Sequence, residues 1–165
     1  MQQKKLRLLI LTALISALCV IGGVIKIPIG TITTAALDST PAFLSAAFLP
    51  PMYGAAVGAI GHVATAYSSG FPLGPLHMIV AVEMAVIIGI FAWMHKKGLH
   101  KSKWLFAFIT NGMLSPLPFA FIISWQFYFG AMPGLVIVTA INLVITALLM
   151  PVVAKIAVQM KVGNV

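Results

Sequence analysis

Apolar residues fall in long blocks along this chain, and polar, Pro or Gly residues punctuate them. Six blocks qualify as candidate spans, at residues 8–25, 41–49, 52–67, 77–94, 104–124 and 133–157. A helix needs about 20 residues to cross a roughly 30 Å hydrocarbon core, so the block at 41–49 is too short to cross untilted. It is expected to borrow length from the loop before it or to sit shielded by its neighbours. The pattern predicts an all-α membrane protein, a bundle of six transmembrane helices forming one integral membrane domain over 1–165. Small residues mark where helices should press together. Gly54 and Gly58, Ala55 and Ala59, then Gly61 lie on the third span, and Ala13 and Ala17 make a similar pair on the first.

Composition agrees: 61% of residues are hydrophobic, 7% are charged and the mean hydropathy is +1.11, more apolar surface than a soluble domain of this length can hide. The net charge of +8 does not point to nucleic acid, because nine of the ten basic residues cluster in three places. Lys4, Lys5 and Arg7 open the chain, Lys96, Lys97, Lys101 and Lys103 fill a mid-chain loop, and Lys155 and Lys161 close it. With six spans all three clusters fall on one side, which the positive-inside rule makes the cytoplasm, so both termini are expected there. Lys26 and Asp38 lie in a long outer loop, 26–40. The first apolar block is longer than a signal-peptide core and is expected to stay as a helix. Cys19 is the sole cysteine, which excludes an internal disulfide and leaves packing as its role.

Charge placement then picks out candidate chemistry. Glu83 sits in an apolar run, and Asp38 is the only other acid. An acidic or basic side chain at a span's centre costs about 2.5–3.5 kcal/mol on insertion scales, so it normally faces a protein interior and has a partner. From the helical rise, His62 and Glu83 both fall in the outer half of the bundle, and His77 caps the outer end of the fourth span. Asn111 and Asn142 lie near mid-depth, while Tyr67, Trp125 and Gln126 sit at outer ends. Together with Asp38 these residues predict a substrate cavity that opens outward. Each also has a structural reading. The Asn residues can be interhelical glue at about 0.6 kcal/mol each, His62 can be the buried partner of Glu83, and Asp38 can cap the helix that Ser39, Thr40 and Pro41 begin. Tyr67, Phe71, Trp125, Phe127, Tyr128 and Phe129 can form an interfacial belt or, for Trp125 above all, stack on a planar ligand. His95 and His100 are expected to be solvated.

The motifs G-x-x-x-x-G-K-[ST], H-E-x-x-H and G-x-S-x-G do not occur, nor does a cluster of metal ligands. The sequence therefore predicts no enzyme, no metal and no cofactor, but a small binding bundle that borrows its energy. Two rivals stay open: a proton-coupled secondary carrier using Glu83, and a non-transporting assembly subunit in which Glu83 and His62 are internal glue.

Ala13-Leu-Ile-Ser-Ala17 matches an A-x-x-x-A pattern, and the stretches Pro41-Ala-Phe-Leu44 and Pro51-Met-Tyr-Gly-Ala-Ala-Val-Gly-Ala-Ile-Gly-His62 look like consecutive helices of one family. Over nearly its whole length the chain resembles the substrate-binding S components of energy-coupling factor (ECF) transporters, vitamin importers of the prokaryotic cell membrane. The resemblance implies a transmembrane coupling subunit facing Ala13 and Ala17, two cytoplasmic ATPase subunits, and a small vitamin-like substrate bound from outside between the outer helix halves. The loaded subunit would tip over in the membrane to release it. The chain is similar to S components assigned to the cobalamin precursor α-ribazole, with pantothenate, pyridoxine and riboflavin types as alternatives. A cavity with two histidines and Lys26 at its mouth favours a neutral or cationic ligand.

Overall fold

The computed structural model describes residues 2–29 and 33–159, with the backbone alone for 26–29 and 33–35, so Lys161 and the Lys26 side chain lie outside the described residues. Helix α1 (Gln2–Val24) leads into an antiparallel ribbon, β1 (Lys26–Ile29) and β2 (Thr33–Ala36), in which Lys26 pairs with Ala36 and Ile29 with Thr33. Then follow α2 (Ser39–Leu44), α3 (Pro51–Ser68), α4 (His77–Lys96), α5 (Ser102–Ile109), α6 (Leu117–Ile122) and α7 (Trp125–Gln159). Among the described residues the regular structure is helical apart from the ribbon, which the sequence reading leaves as loop.

Among the described residues four stretches are long and apolar enough to cross a membrane: Gln2–Val24, Gly74–Lys96, Ser102–Ile122 and Trp125–Gln159. Helix α3 has 18 residues, but Gly, Ala and His62 dilute its hydrophobicity. The block at 41–49 does not form one continuous helix. Helix α2 ends after six residues and a 3₁₀ turn, Ser45–Ala47, carries the chain on toward Pro50. Its residues are shielded: Phe43 and Leu49 are wholly buried, and the Phe43 ring meets Phe91 edge-on at 4.9 Å. The short segment thus plugs the core with its neighbours closing around it, which is how its polar backbone stays out of lipid.

Close contacts set the helix directions. Cys19 lies against Gly61 and Gly23 against Thr65, so α1 and α3 run parallel. Gly58 faces Met84 and Ile88, Gly54 faces Ala92 and Gly89 faces Ala55, so α4 runs antiparallel to α3. His95 meets Lys103 while Glu83 meets Ser115, which makes the next stretch antiparallel to α4. Asn111 pairs with Thr139 and Phe119 with Phe127, so α7 reverses again. The start of α1, the loop after α4 and the end of α7 therefore gather at one end of the bundle with their lysines, and the ribbon lies at the other.

Glycine permits the tight α3–α4 seam. A Cβ on Gly58 would stand 2.5 Å from the Met84 carbonyl oxygen and 2.9 Å from Ile88 Cγ1. Gly58→Ala is expected to cost about 1–3 kcal/mol by overpacking, read as a fall in the melting temperature of the solubilised chain. Gly130→Ala, where a Cβ meets nothing within 4 Å, serves as the neutral control.

The fifth block is broken rather than continuous. After α5 comes a π-helical turn, Thr110–Leu114, closed by the Ser115 amide donating to the Thr110 carbonyl at 2.8 Å. Pro116 follows and has no N–H to continue an α ladder. Helix α6 stops at Ile122, and the Ser124 hydroxyl accepts the Phe127 amide at 3.1 Å to open α7. Trp125 and Gln126 accordingly begin α7 instead of ending the fifth span. With 35 residues α7 extends about 52 Å at 1.5 Å per residue, more than a bilayer core.

His95 is not solvated: its Nδ1 lies 2.6 Å from Lys103 Nζ, and that ammonium is buried over the Trp104 ring at 4.8 Å and the Phe91 ring at 5.4 Å. Aromatic faces and a neutral imidazole acceptor replace the water a lysine normally keeps.

Candidate functional site

Near the ribbon end, the junction of β2 with α2, helices α3, α4, α6 and α7, and the π turn enclose a cavity of about 470 Å³. That volume is within the roughly 300–1,000 Å³ of small-molecule sites. Asp38, His62, His77, Asn111 and Ser115 supply its main polar side chains, and Phe119, Phe127, Val80, Met84, Leu135 and Val138 much of its apolar wall. No lysine or arginine is among the described lining residues.

Asp38 precedes α2 but makes no side-chain capping bond, so helix capping does not account for it. Its Oδ1 accepts the Ser39 hydroxyl at 3.3 Å. Burial raises its pKa above the usual carboxylate range, opposed by hydrogen bonds from the Ser39 hydroxyl and amide. A carboxyl whose folded pKa is raised binds its proton more tightly in the folded state. Its contribution to stability is therefore fully present below the unfolded pKa and is lost as pH rises through the folded value. Lowering the pH from about 7 to about 4 should raise the melting temperature of the parent chain relative to Asp38→Asn, and a constant gap would contradict this.

His62 Nε2 lies 3.1 Å from His77 Nδ1, so the histidines pair with each other and not with Glu83. Glu83 lies behind the wall: it is not a lining residue, and its Oε2 accepts the hydroxyl of Ser115, which is one, at 3.0 Å. Asn111 donates from Nδ2 to Thr139 Oγ1 at 2.9 Å. The bonded Asn142 is buried outside the lining. Its Oδ1 accepts the Thr40 amide at 2.9 Å and hydroxyl at 2.8 Å, and its Nδ2 donates to the carbonyls of Ala36 at 2.9 Å and Val138 at 3.0 Å.

The remaining expected residues lie elsewhere. Tyr67 is 75% exposed and lines an apolar hollow between α1 and α3 with Val20, Ile60 and Val63. Trp125 packs against Phe121, Tyr128 and Phe129 in an exposed aromatic cluster, and the neighbouring Gln126 is exposed. The structure thus brings together Asp38, His62, His77 and Asn111, with Glu83 one bond away. It adds Ser115, which the sequence reading missed; the signal was the interruption Ser115-Pro116-Leu117-Pro118 within an apolar block. No group of three or more His, Cys, Asp or Glu able to hold a metal occurs among the described residues.

The family model for the substrate-specific component of ECF transporters matches residues 7–164. The chain belongs to this family. It is a transporter subunit, an integral membrane protein that binds substrate for an ECF module. No curated protein and no solved structure matches the chain. Ala13 and Ala17 are exposed on α1 and border an open groove of about 450 Å³ with Leu9, Thr12, Val20 and Ile60.

Proposed function

We propose that this S component captures a neutral or cationic, ring-bearing, nucleoside-like compound, with α-ribazole the best match, and delivers it to an ATP-driven importer. One observation carries the reading: a cavity of about 470 Å³ with apolar and aromatic walls, a single lining carboxylate and no described cation. An anionic ligand such as pantothenate would leave its carboxylate beside Asp38 without a counter-charge, which a site of low dielectric penalises. Phe119 and Phe127 offer ring faces, while Asp38 and Asn111 offer acceptors for hydroxyl or amine donors.

The chain forms one domain over 1–165 that crosses a prokaryotic plasma membrane six times, with α2 and its 3₁₀ turn as the short second crossing. The lysine end faces the cytoplasm and the ribbon end, with the cavity, faces outward. A transmembrane coupling subunit docks on Ala13 and Ala17, and two ATPase subunits hydrolyse ATP. Titration calorimetry of the purified chain tests the substrate class: α-ribazole binds and pantothenate does not. Tighter binding of pantothenate would refute the reading.

A further inference from the structure

The two cavity histidines belong to a hydrogen-bonded relay whose direction can be assigned. The Leu73 amide lies 3.2 Å from His77 Nε2. An amide has only a proton to offer, so this nitrogen is bare and accepts. A neutral imidazole with a bare Nε2 carries its proton on Nδ1. His77 Nδ1 lies 3.1 Å from His62 Nε2, so it donates and that nitrogen is bare in turn. His62 then holds its own proton on Nδ1.

That Nδ1 has no partner among the described residues. Yet it is not a sealed orphan, since Ser16 Oγ is the one buried side-chain polar atom without a partner among them. His62 Nδ1 is therefore not sealed in the interior, and His62 is a lining residue of the cavity. Asp38 and the side-chain carbonyl of Asn111 bring acceptors to the same cavity. Asp38 is a carboxyl, Asn111 has committed an amide proton to Thr139, and Ser115 has committed its proton to Glu83.

The start of the relay is held firmly. Gly70 and Gly74 have φ of 77° and 54°, and Phe71 adopts φ of 48° between them. A bulky side chain in that region is strained and persists only when its surroundings over-determine it. Here the Phe71 amide bonds to the Ala66 carbonyl at 2.8 Å, the Gly74 amide to the Phe71 carbonyl at 2.7 Å, and the Phe71 ring stands 5.7 Å from His77.

We propose that His77 is a positioning residue that locks His62 as a hydrogen-bond donor into the cavity, so that the site selects a neutral ring with a bare ring nitrogen for His62 and hydroxyl or amine donors for Asp38. The ligand half of this inference rests on the nucleoside-like reading above; the tautomer lock does not.

The lock is tested on the full chain in lipid nanodiscs with ¹⁵N-labelled histidine, using long-range proton–nitrogen correlations that separate bare from protonated ring nitrogens. Both His62 and His77 are expected to be bare at Nε2 and protonated at Nδ1, and a protonated His62 Nε2 overturns the proposal. His77→Ala should give His62 mixed tautomers and weaken α-ribazole binding about tenfold, the scale of one lost hydrogen bond. His77→Gln, with donor and acceptor on one amide, should restore most of that affinity. The ligand half is tested with the riboside of 5,6-dimethylindole, which carries a C–H where α-ribazole has its bare ring nitrogen. The parent chain should prefer α-ribazole about tenfold, and His62→Phe should not; equal affinity in the parent overturns the selection. Failure of both ribosides to bind refutes the ligand reading, while the nitrogen spectra still decide the lock.

Discussion

Ala13→Leu or Ala17→Leu is expected to abolish uptake and co-purification with the transmembrane coupling subunit, while ligand binding by the isolated chain stays unchanged. Both alanines are exposed on α1, and neither supports the helical core from within. Cys19, Ile15 and Leu8 face inward instead. The two alanines border the open groove between α1 and α3. Small residues let helix backbones approach closely in a membrane, where association depends on packing rather than on a hydrophobic drive. A leucine side chain there fills the groove a partner helix would enter. Pull-down of the coupling subunit from membranes reads the result. Loss of ligand binding in either variant would instead mean that the alanines pack within the bundle.

Asn142→Leu is expected to destabilise the chain by about 2–4 kcal/mol, the sum of four hydrogen bonds at about 0.5–1.5 kcal/mol each with some compensation. The side chain is wholly buried and ties α7 to the start of α2 and the end of β2. Leucine has the same number of side-chain heavy atoms but is bulkier, and it leaves the Thr40 amide and the Ala36 carbonyl without their partner. Because Asp38 sits two residues before Thr40, the loss should also loosen the cavity mouth. Denaturant unfolding of the solubilised chain gives the stability change; an effect under about 0.5 kcal/mol would show that water or backbone replaces Asn142 readily.

The difference between Asn111 and Asn142 shows how far the sequence could be read. Depth follows from distance along an apolar block, and both residues read alike at mid-depth. Which one meets a cavity depends on partners such as Thr40, 102 positions away, and local pattern carries no trace of that. The same limit left open which way Tyr67 and Trp125 face. A span that is apolar all round has no polar stripe to say which face points inward, so an aromatic at its end can be placed in depth but not in direction. Charge was easier: Lys4, Lys96 and Lys155 lie outside or at the ends of the apolar blocks, and the antiparallel packing brings them to one end. His62 and His77 were legible as cavity residues because polar rings in apolar helices demand partners, though their pairing with each other was not. The breaks around Ser115 and Ser124 show in the prolines and the serine, but the close approach of Gly112 in the π turn to Val136 and Thr139 of α7 does not.

Titration of α-ribazole into the purified parent chain and into Asp38→Asn, side by side, tests the central claim that this cavity is the substrate site. Asp38 is its one lining carboxylate, so one-to-one binding in the parent should weaken at least about 30-fold in the variant, about 2 kcal/mol for a hydrogen bond to a charged acceptor. Equal affinity in the two proteins would place the substrate elsewhere.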